Sequence, residues 1–342
     1  MKAVGYSQSL AISEANALID IELPQPKAVG HDLLVKINAI AVNPVDCKIR
    51  QRKTPDEGQY TVLGWDAVGE VMATGEHVTL FTPGDRVFYA GDLNRQGSNA
   101  EFQLVDERLV GKKPHSLSDV DSAALPLTTI TAWELLFEHL AIQQQAPEDN
   151  KKSADVILVV GAAGGVGSLL IQLAKVLTGA TVIATASRPS SQDWVKKLGA
   201  DYVVNHCQPL LPQIEALGLK SITHIASLNN TEEYFEQYTE LLAPFGKIAM
   251  IDDLKKPLDI IKLKPKSQSL HIEFMFARSL FKTADMAEQG RLLNRVADLV
   301  DQGLIQSTRT KTLGTLCAGQ LKIAHETLES RTVIGKLVLH GF

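Results

Sequence analysis

Seven consecutive residues, Gly161-Ala162-Ala163-Gly164-Gly165-Val166-Gly167, are the part of this sequence best suited to holding an anion. They follow a β-branched apolar run, Val156–Val160, and lead into apolar residues at Val166, Leu169, Leu170, Leu173 and Leu177, a helical spacing. Gly179 then reads as a helix C-cap. The segment predicts a strand, a tight turn and a helix, the first unit of a dinucleotide-binding fold. A pyrophosphate at such a turn meets backbone N–H groups at the positive end of the helix dipole. Glycine at 164 removes a Cβ that would block this approach, and glycine at 167 lets the helix pack close on the strand. Ala162 stands where the first glycine of G-x-G-x-x-G usually stands, so the motif reads Ala162-x-Gly164-x-x-Gly167.

About 20 residues beyond the motif, an NAD-binding chain usually places Asp or Glu for the ribose 2′-hydroxyl. Here the next expected strand, Thr181–Ala186, runs into Ser187 and Arg188, a hydroxyl and a guanidinium. Those groups suit a 2′-phosphate, and the expected cofactor is NADPH. One charge-assisted bond is worth about 1.5–3 kcal/mol, enough for about tenfold or greater preference. A solvated charge at a helix entry is the plainer role for Arg188.

The elements that must position these groups are read from the rest of the chain. Its 342 residues suffice for two domains, and 45% hydrophobic and 21% charged residues are ordinary for a globular protein. Net charge −5 and the lack of a basic run argue against a nucleic-acid partner. No apolar run predicts a signal peptide or a membrane span. Three scattered cysteines, Cys47, Cys207 and Cys317, suit reduced thiols in a cytoplasm, and neither Cys nor His spacing suggests a zinc site. Residues 1–110 read as short strands broken by Gly and Pro, with a loop over Arg50–Leu63. Residues 119–141 read as helix in two pieces divided at Pro126. From Asp155 strands and helices alternate, which predicts a parallel, doubly wound sheet, with Leu270–Phe276 as a further strand. The outer parts are expected to form one domain, with the ligand cleft between it and the sheet domain.

The stretches AVNPVDCKIR, VLGWDAVGEV, PGDRVFYAG, AEFQLVDERLVGKKP, AALPLTTITAWELL, VVGAAGGVGSLLIQLAK and IGKLVL, in that order, resemble the medium-chain dehydrogenase/reductase superfamily on its quinone oxidoreductase side. LHIEFMFARSLF resembles a zinc-free subgroup often labelled zinc-type alcohol dehydrogenase-like. The resemblance implies an α/β fold: a doubly wound parallel Rossmann sheet, residues 128–282, inserted in a β-rich GroES-like catalytic domain, residues 1–127 plus 283–342. It also implies a homodimer or homotetramer, with Leu270–Phe276 as a candidate edge strand.

In zinc-dependent members a Cys aligns with Asn43, and a Gly-His-Glu segment with Gly64-Trp65-Asp66. An amide and an indole thus replace a thiolate and an imidazole, and Phe88–Gln103 holds no Cys for a structural zinc lobe. No metal is expected. Without a Lewis acid on an alcohol oxygen, the expected reaction is hydride donation to a small electrophilic acceptor, a quinone or an α,β-unsaturated carbonyl.

The resemblance places Asn43 near the nicotinamide ribose or substrate carbonyl, with Asp46 beside it; capping a short helix after Pro44 is the plainer role for both. Thr131 matches a threonine near the nicotinamide, or bonds its own helix backbone. Lys48 stands where an aromatic is common, and is either a substrate contact or proton source or a surface lysine. Tyr60 is assigned to the pocket mouth, and Trp65 to a cavity wall or the core. His206, after the third sheet strand, falls beside the adenosine phosphate or is an exposed loop histidine. Backbone around Ile251 and from Phe274 to Phe276 is expected to meet the carboxamide, and Lys336 to lie beside the cofactor. Two other readings remain: a zinc-type alcohol dehydrogenase with unusual ligands, and an NADPH-binding structural or RNA-associated member without turnover.

Overall fold

The computed structural model describes residues 1–149, 151–219 and 221–342. They form two units, Met1–Ile130 with Phe276–Phe342, and Thr131–Met275. The sequence alone suggested breaks at 127/128 and 282/283.

Short β-branched runs between turn residues give the first unit its strands: β1 (Lys2–Tyr6), β2 (Ile19–Glu22), β3 (Asp32–Ala41), β4 (Thr61–Val62), β5 (Ala67–Thr74), β6 (Arg86–Tyr89), β7 (Phe102–Asp106) and β8 (Val110–Lys112). The second unit carries β9 (Val156–Val160), β10 (Thr181–Thr185), β11 (Tyr202–Val204), β12 (Ile222–Ser227), β13 (Leu242–Met250) and β14 (Ser269–Ile272). The chain then returns to the first unit with β15 (Arg309–Thr315) and β16 (Lys336–His340).

In the first unit, β2-β1-β4 form a small sheet, and β15-β16-β3-β5-β6-β8 a larger one to which β7 adds by pairing with β3. The centre of the larger sheet matters most for the site. β3 lies between β16 and β5, antiparallel to both, with Val338 opposite Ala41 and Ile40 opposite Ala67. The helix Pro44–Arg52 starts directly after β3, with Pro44 in its first turn and Asn43 extended at the cap. It occupies the start of the stretch expected to be a loop, which begins only at Lys53. The polar strand β15 carried no clear period-2 signal, because its sequence RTKTLGT has few apolar residues.

In the second unit the order is β11-β10-β9-β12-β13-β14, all parallel. The helix Gly165–Leu177 buries Leu169, Leu170, Leu173 and Leu177 completely or nearly so. Each contributes about 1.5–3 kcal/mol by leaving water. Its cap is Thr178, and Gly179 follows at φ +61, the left-handed position that favours glycine. The last expected strand is shorter than its apolar pattern: β14 stops at Ile272, and Phe274 and Phe276 lie beyond it. Pro126 begins a helix, Pro126–Trp133, that continues as a π-helical turn over Glu134–His139. Among the described residues no helix is long and apolar enough to cross a membrane.

Candidate functional site: a glycine turn and a buried cation

In the second unit, β9 ends at Val160 and is followed by Gly161, whose φ of +79° only glycine adopts without strain. Its N–H donates to Thr185 Oγ1 at 3.1 Å, tying the turn to the end of β10. A Cβ at Gly167 would lie 2.5 Å from the Ala162 carbonyl oxygen, so that glycine is required by helix-on-strand packing. A Cβ at Gly164 would meet nothing closer than the Gly161 oxygen at 3.5 Å. Gly164 is therefore not required by the fold. Ala162 is buried, whereas Ala163, Gly164, Gly165 and Val166 are partly exposed and offer backbone N–H groups at the helix start.

β10 runs into Ala186, then half-buried Ser187 and exposed Arg188, which caps the helix Pro189–Lys197. His206 follows β11, half-buried, its Nδ1 enclosed and without a protein partner. Burial pushes the His206 imidazole below its ordinary pKa, and the positive charge of Arg188 pushes the same way. Ser187, Arg188 and His206 thus belong to neighbouring strand ends of one sheet. Ile251 donates its N–H to Ser227 at 3.3 Å after β13, and Phe274 is half exposed after β14. Thr131 is buried on its helix.

In the first unit the sheet register brings three distant residues together. Two steps on from the Val338–Ala41 pair, Lys336 faces Asn43, and Asp66 immediately precedes β5. All three are buried. Lys336 Nζ donates to Asp66 Oδ2 at 2.8 Å, to the Val42 carbonyl at 3.1 Å and to Asn43 Oδ1. Asn43 Nδ2 donates to the same Asp66 oxygen at 2.8 Å. The other Asp66 oxygen accepts the Leu127 N–H at 2.8 Å, in the first turn of the helix that starts at Pro126. Lys336 is thus enclosed with Asn43 and Asp66 inside the first unit.

Asp46 is also fully buried. Its Oδ2 accepts the Asn43 N–H at 2.7 Å, the helix cap foreseen from the sequence, while Oδ1 has no protein partner. Burial pushes the Asp46 carboxyl up to about 7, and the nearby Asp66 adds to the rise. Burial also raises Asp66, against the pull of Lys336. Three donors point at Asp66, one of them the Lys336 ammonium, and they favour its ionised form, whereas Asp46 accepts the Asn43 N–H on one oxygen and has no protein partner on the other. Lys48 is half-buried on the same helix, and Tyr60 lies exposed before β4. Trp65 is buried, donates to the Asp92 carbonyl at 3.3 Å and meets Phe276 edge-on at 6.2 Å.

These donors do not fit zinc. An amide oxygen and a carboxylate are already spent on an ammonium, and Trp65 offers no ligand atom. Among the described residues one set of His, Cys, Asp or Glu donors lies close enough to share a metal: Cys47, His325 and Glu329. There the buried Arg50 guanidinium intervenes, donating to His325 Nδ1 at 3.4 Å and to Glu329. Burial drives the Cys47 thiol well up, and burial together with Arg50 drives His325 down to about 3. The raised thiol disfavours a thiolate ligand, and the Arg50 guanidinium beside His325 disfavours a second cation there. The Arg50 set carried no sequence signal, since Arg50 and Glu329 are far apart in the chain. Asp66 could be located from Gly64-Trp65-Asp66, but not its partner.

Comparison with known proteins places the chain. Residues 30–115 match the alcohol dehydrogenase GroES-like domain and residues 165–288 the zinc-binding dehydrogenase family. A zinc-type alcohol dehydrogenase-like protein of Staphylococcus aureus is 41% identical over 340 residues, covering 99% of this chain and 100% of that protein. A 2-methylene-furan-3-one reductase of Solanum lycopersicum is 38% identical over 216 residues, 60% of this chain and 52% of that one. Among solved structures, a Rhizobium etli protein provisionally named a zinc-dependent alcohol dehydrogenase is 49% identical with a TM-score of 0.95, covering 100% of this chain and 98% of its own. The mycobacterial Rv1454c, solved with NADPH, is 26% identical with a TM-score of 0.80, covering 99% of this chain and 100% of its own. With the glycine turn on a parallel sheet in one unit and a GroES-like sheet in the other, the chain belongs to the medium-chain dehydrogenase/reductase superfamily and is an oxidoreductase of that family.

Proposed function

We propose that this protein is a metal-independent, NADPH-dependent reductase that passes hydride to a quinone or an α,β-unsaturated carbonyl. The observation that carries the reading is the end of β10. It offers Ser187 and Arg188 in place of a carboxylate, with the enclosed, unpartnered Nδ1 of His206 at the end of the adjacent strand. A hydroxyl, a guanidinium and an imidazole together suit a phosphate better than a ribose hydroxyl. The NADPH held by the mycobacterial relative and the enone reduction named for the tomato relative support it.

When bound, the cofactor supplies a hydride; the chain binds and orients it. The Gly161–Gly167 turn presents N–H groups to the pyrophosphate, and Ser187, Arg188 and His206 take the 2′-phosphate. The donor set around Asn43 favours an acceptor that is already electron-poor, because an alcohol would need a Lewis acid on its oxygen. The test is steady-state NADPH and NADH oxidation with a quinone and enone panel, before and after dialysis against a chelator. Arg188→Ala is expected to raise the KM for NADPH about tenfold or more and to leave NADH nearly unchanged. Equal loss with both cofactors, or activity that disappears with chelator and returns with zinc, refutes the proposal.

A further inference from the structure

The metal implied by the family and the residues present disagree, and the disagreement has a definite form. At the positions aligned with metal ligands the chain places an amide, Asn43, and an indole, Trp65, and between Asn43 and Asp66 it places an ammonium. We propose that Lys336 is a fixed internal cation that does the electrostatic work of a metal ion at this place, and that it is a positioning residue acting through Asn43 and Asp66. The proposal rests on the metal-independent reading above.

Three features support it. Lys336 is buried and all three of its N–H bonds end on named acceptors, Val42, Asn43 and Asp66, so it is neither a solvated surface charge nor a spare donor. Its acceptors come from two places: the adjacent residues Val42 and Asn43, which join β3 to the helix at Pro44, and Asp66, the residue before β5. A single positive charge therefore fixes the conformation of both, as a bound ion fixes its ligands. Asp66, held ionised, in turn accepts the Leu127 N–H and anchors the start of the helix at Pro126. Asn43 is held with its oxygen toward Lys336 and its nitrogen toward Asp66, which leaves the unpartnered Asp46 Oδ1 as the open polar atom of the group.

A buried ion pair is not by itself evidence of function, since a neutral pair of similar shape often folds as well. The experiment separates the two roles. Full-length wild type, Lys336→Met, Lys336→Ala and the double variant Asp66→Asn/Lys336→Met are compared by thermal melting, by NADPH oxidation with a quinone, and by elemental analysis after incubation with zinc and gel filtration. Wild type is expected to retain no stoichiometric zinc, a result that needs no turnover. Lys336→Met is expected to lose turnover by at least about 100-fold. The double variant, which leaves no charge unpaired, is expected to regain the melting temperature but not the turnover. Methylammonium or ethylammonium is expected to restore activity to Lys336→Ala, whereas tetramethylammonium, too large and without N–H donors, is not. Should the single variants not fold, the double variant carries the result. Full activity in the double variant, or in folded Lys336→Ala without added amine, overturns the internal-cation role and leaves the reductase reading standing. Stoichiometric zinc in wild type overturns both, and absence of NADPH oxidation by a zinc-free wild type overturns the reductase reading and with it the internal-cation role that rests on it.

Discussion

Between Gly161 and Gly167 the chain prepares an anion site from backbone alone, within seven residues. Around Lys336 it builds a cation site from side chains, delivered by the ends of β3 and β16 and the start of β5. The first depends on what is missing, Cβ atoms at Gly161 and Gly167. The second depends on what is present, and the bonds of Lys336 and Asp66 in it span pairings that folding alone creates, whereas those from Asn43 to Asp46 and Ala41 are local. Anion binding by a helix start tolerates substitution wherever no contact is lost. A buried ion cluster tolerates almost none, because any vacancy leaves an uncompensated charge. The Arg50 group with His325, Glu329 and the Leu10 carbonyl follows the second plan, joining the helix Pro44–Arg52 to the helix Ala318–Glu329.

The contrast can be broken or sharpened by substitution. Arg50→Met should cost about 1–3 kcal/mol, because His325 Nδ1 and the Leu10 carbonyl lose a buried donor, while Glu329 is exposed to water. Urea unfolding measures it, and a loss under 1 kcal/mol, on the scale of about one exposed ion pair, would put Arg50 in the class of surface charges. Gly167→Ala should cost about 1–3 kcal/mol, since the new methyl meets the Ala162 backbone at 2.5 Å.

Next comes a pH effect. The Asp46 carboxyl sits near 7 in the folded chain and near 3.8 as a free side chain, so the folded state binds the extra proton. Stability from this group is therefore full below the lower value and falls as pH rises toward the upper one, by up to about 1.4 kcal/mol per pH unit. Asp46→Asn, which keeps an oxygen for the Asn43 N–H, should flatten that slope. Melting temperatures across this window for the two proteins decide it, and parallel curves would rule out Asp46 as the source. His325 works in the opposite direction: held near 3 against 6.5 when free, it adds stability above 6.5 that is lost as pH falls toward 3. The smallest stability effect should be that of Gly164→Ala, within about 0.5 kcal/mol, because the methyl meets only ordinary contact. Fluorescence titration should nonetheless show weaker NADPH binding, and unaltered affinity would mean the pyrophosphate does not approach Gly164.

Lys48, Tyr60 and Thr131 show how far residue types carry. Their positions on a helix, a loop and a second helix were legible, because local pattern decides those. What lies opposite each was not, because that depends on residues far along the chain. Asn43 is the sharper case. Its role as a cap to the helix after Pro44 follows from four consecutive residues. Its enclosure between Asp66 and Lys336 follows from an antiparallel register set by β3, β5 and β16. The apolar pattern from Leu270 runs through Phe276, but β14 ends at Ile272 and Phe276 packs edge-on against Trp65.

The sequence by itself determined the alternation of strand and helix, the glycine turn with its required left-handed residue, and the absence of a carboxylate after β10, since each rests on near neighbours and on backbone conformations few residues can adopt. Tertiary structure decided where the buried charges sit. Asp66 and Lys336 are 270 residues apart, and only the sheet register, fixed by which faces of β3 must be buried, brings an ammonium within 2.8 Å of a carboxylate.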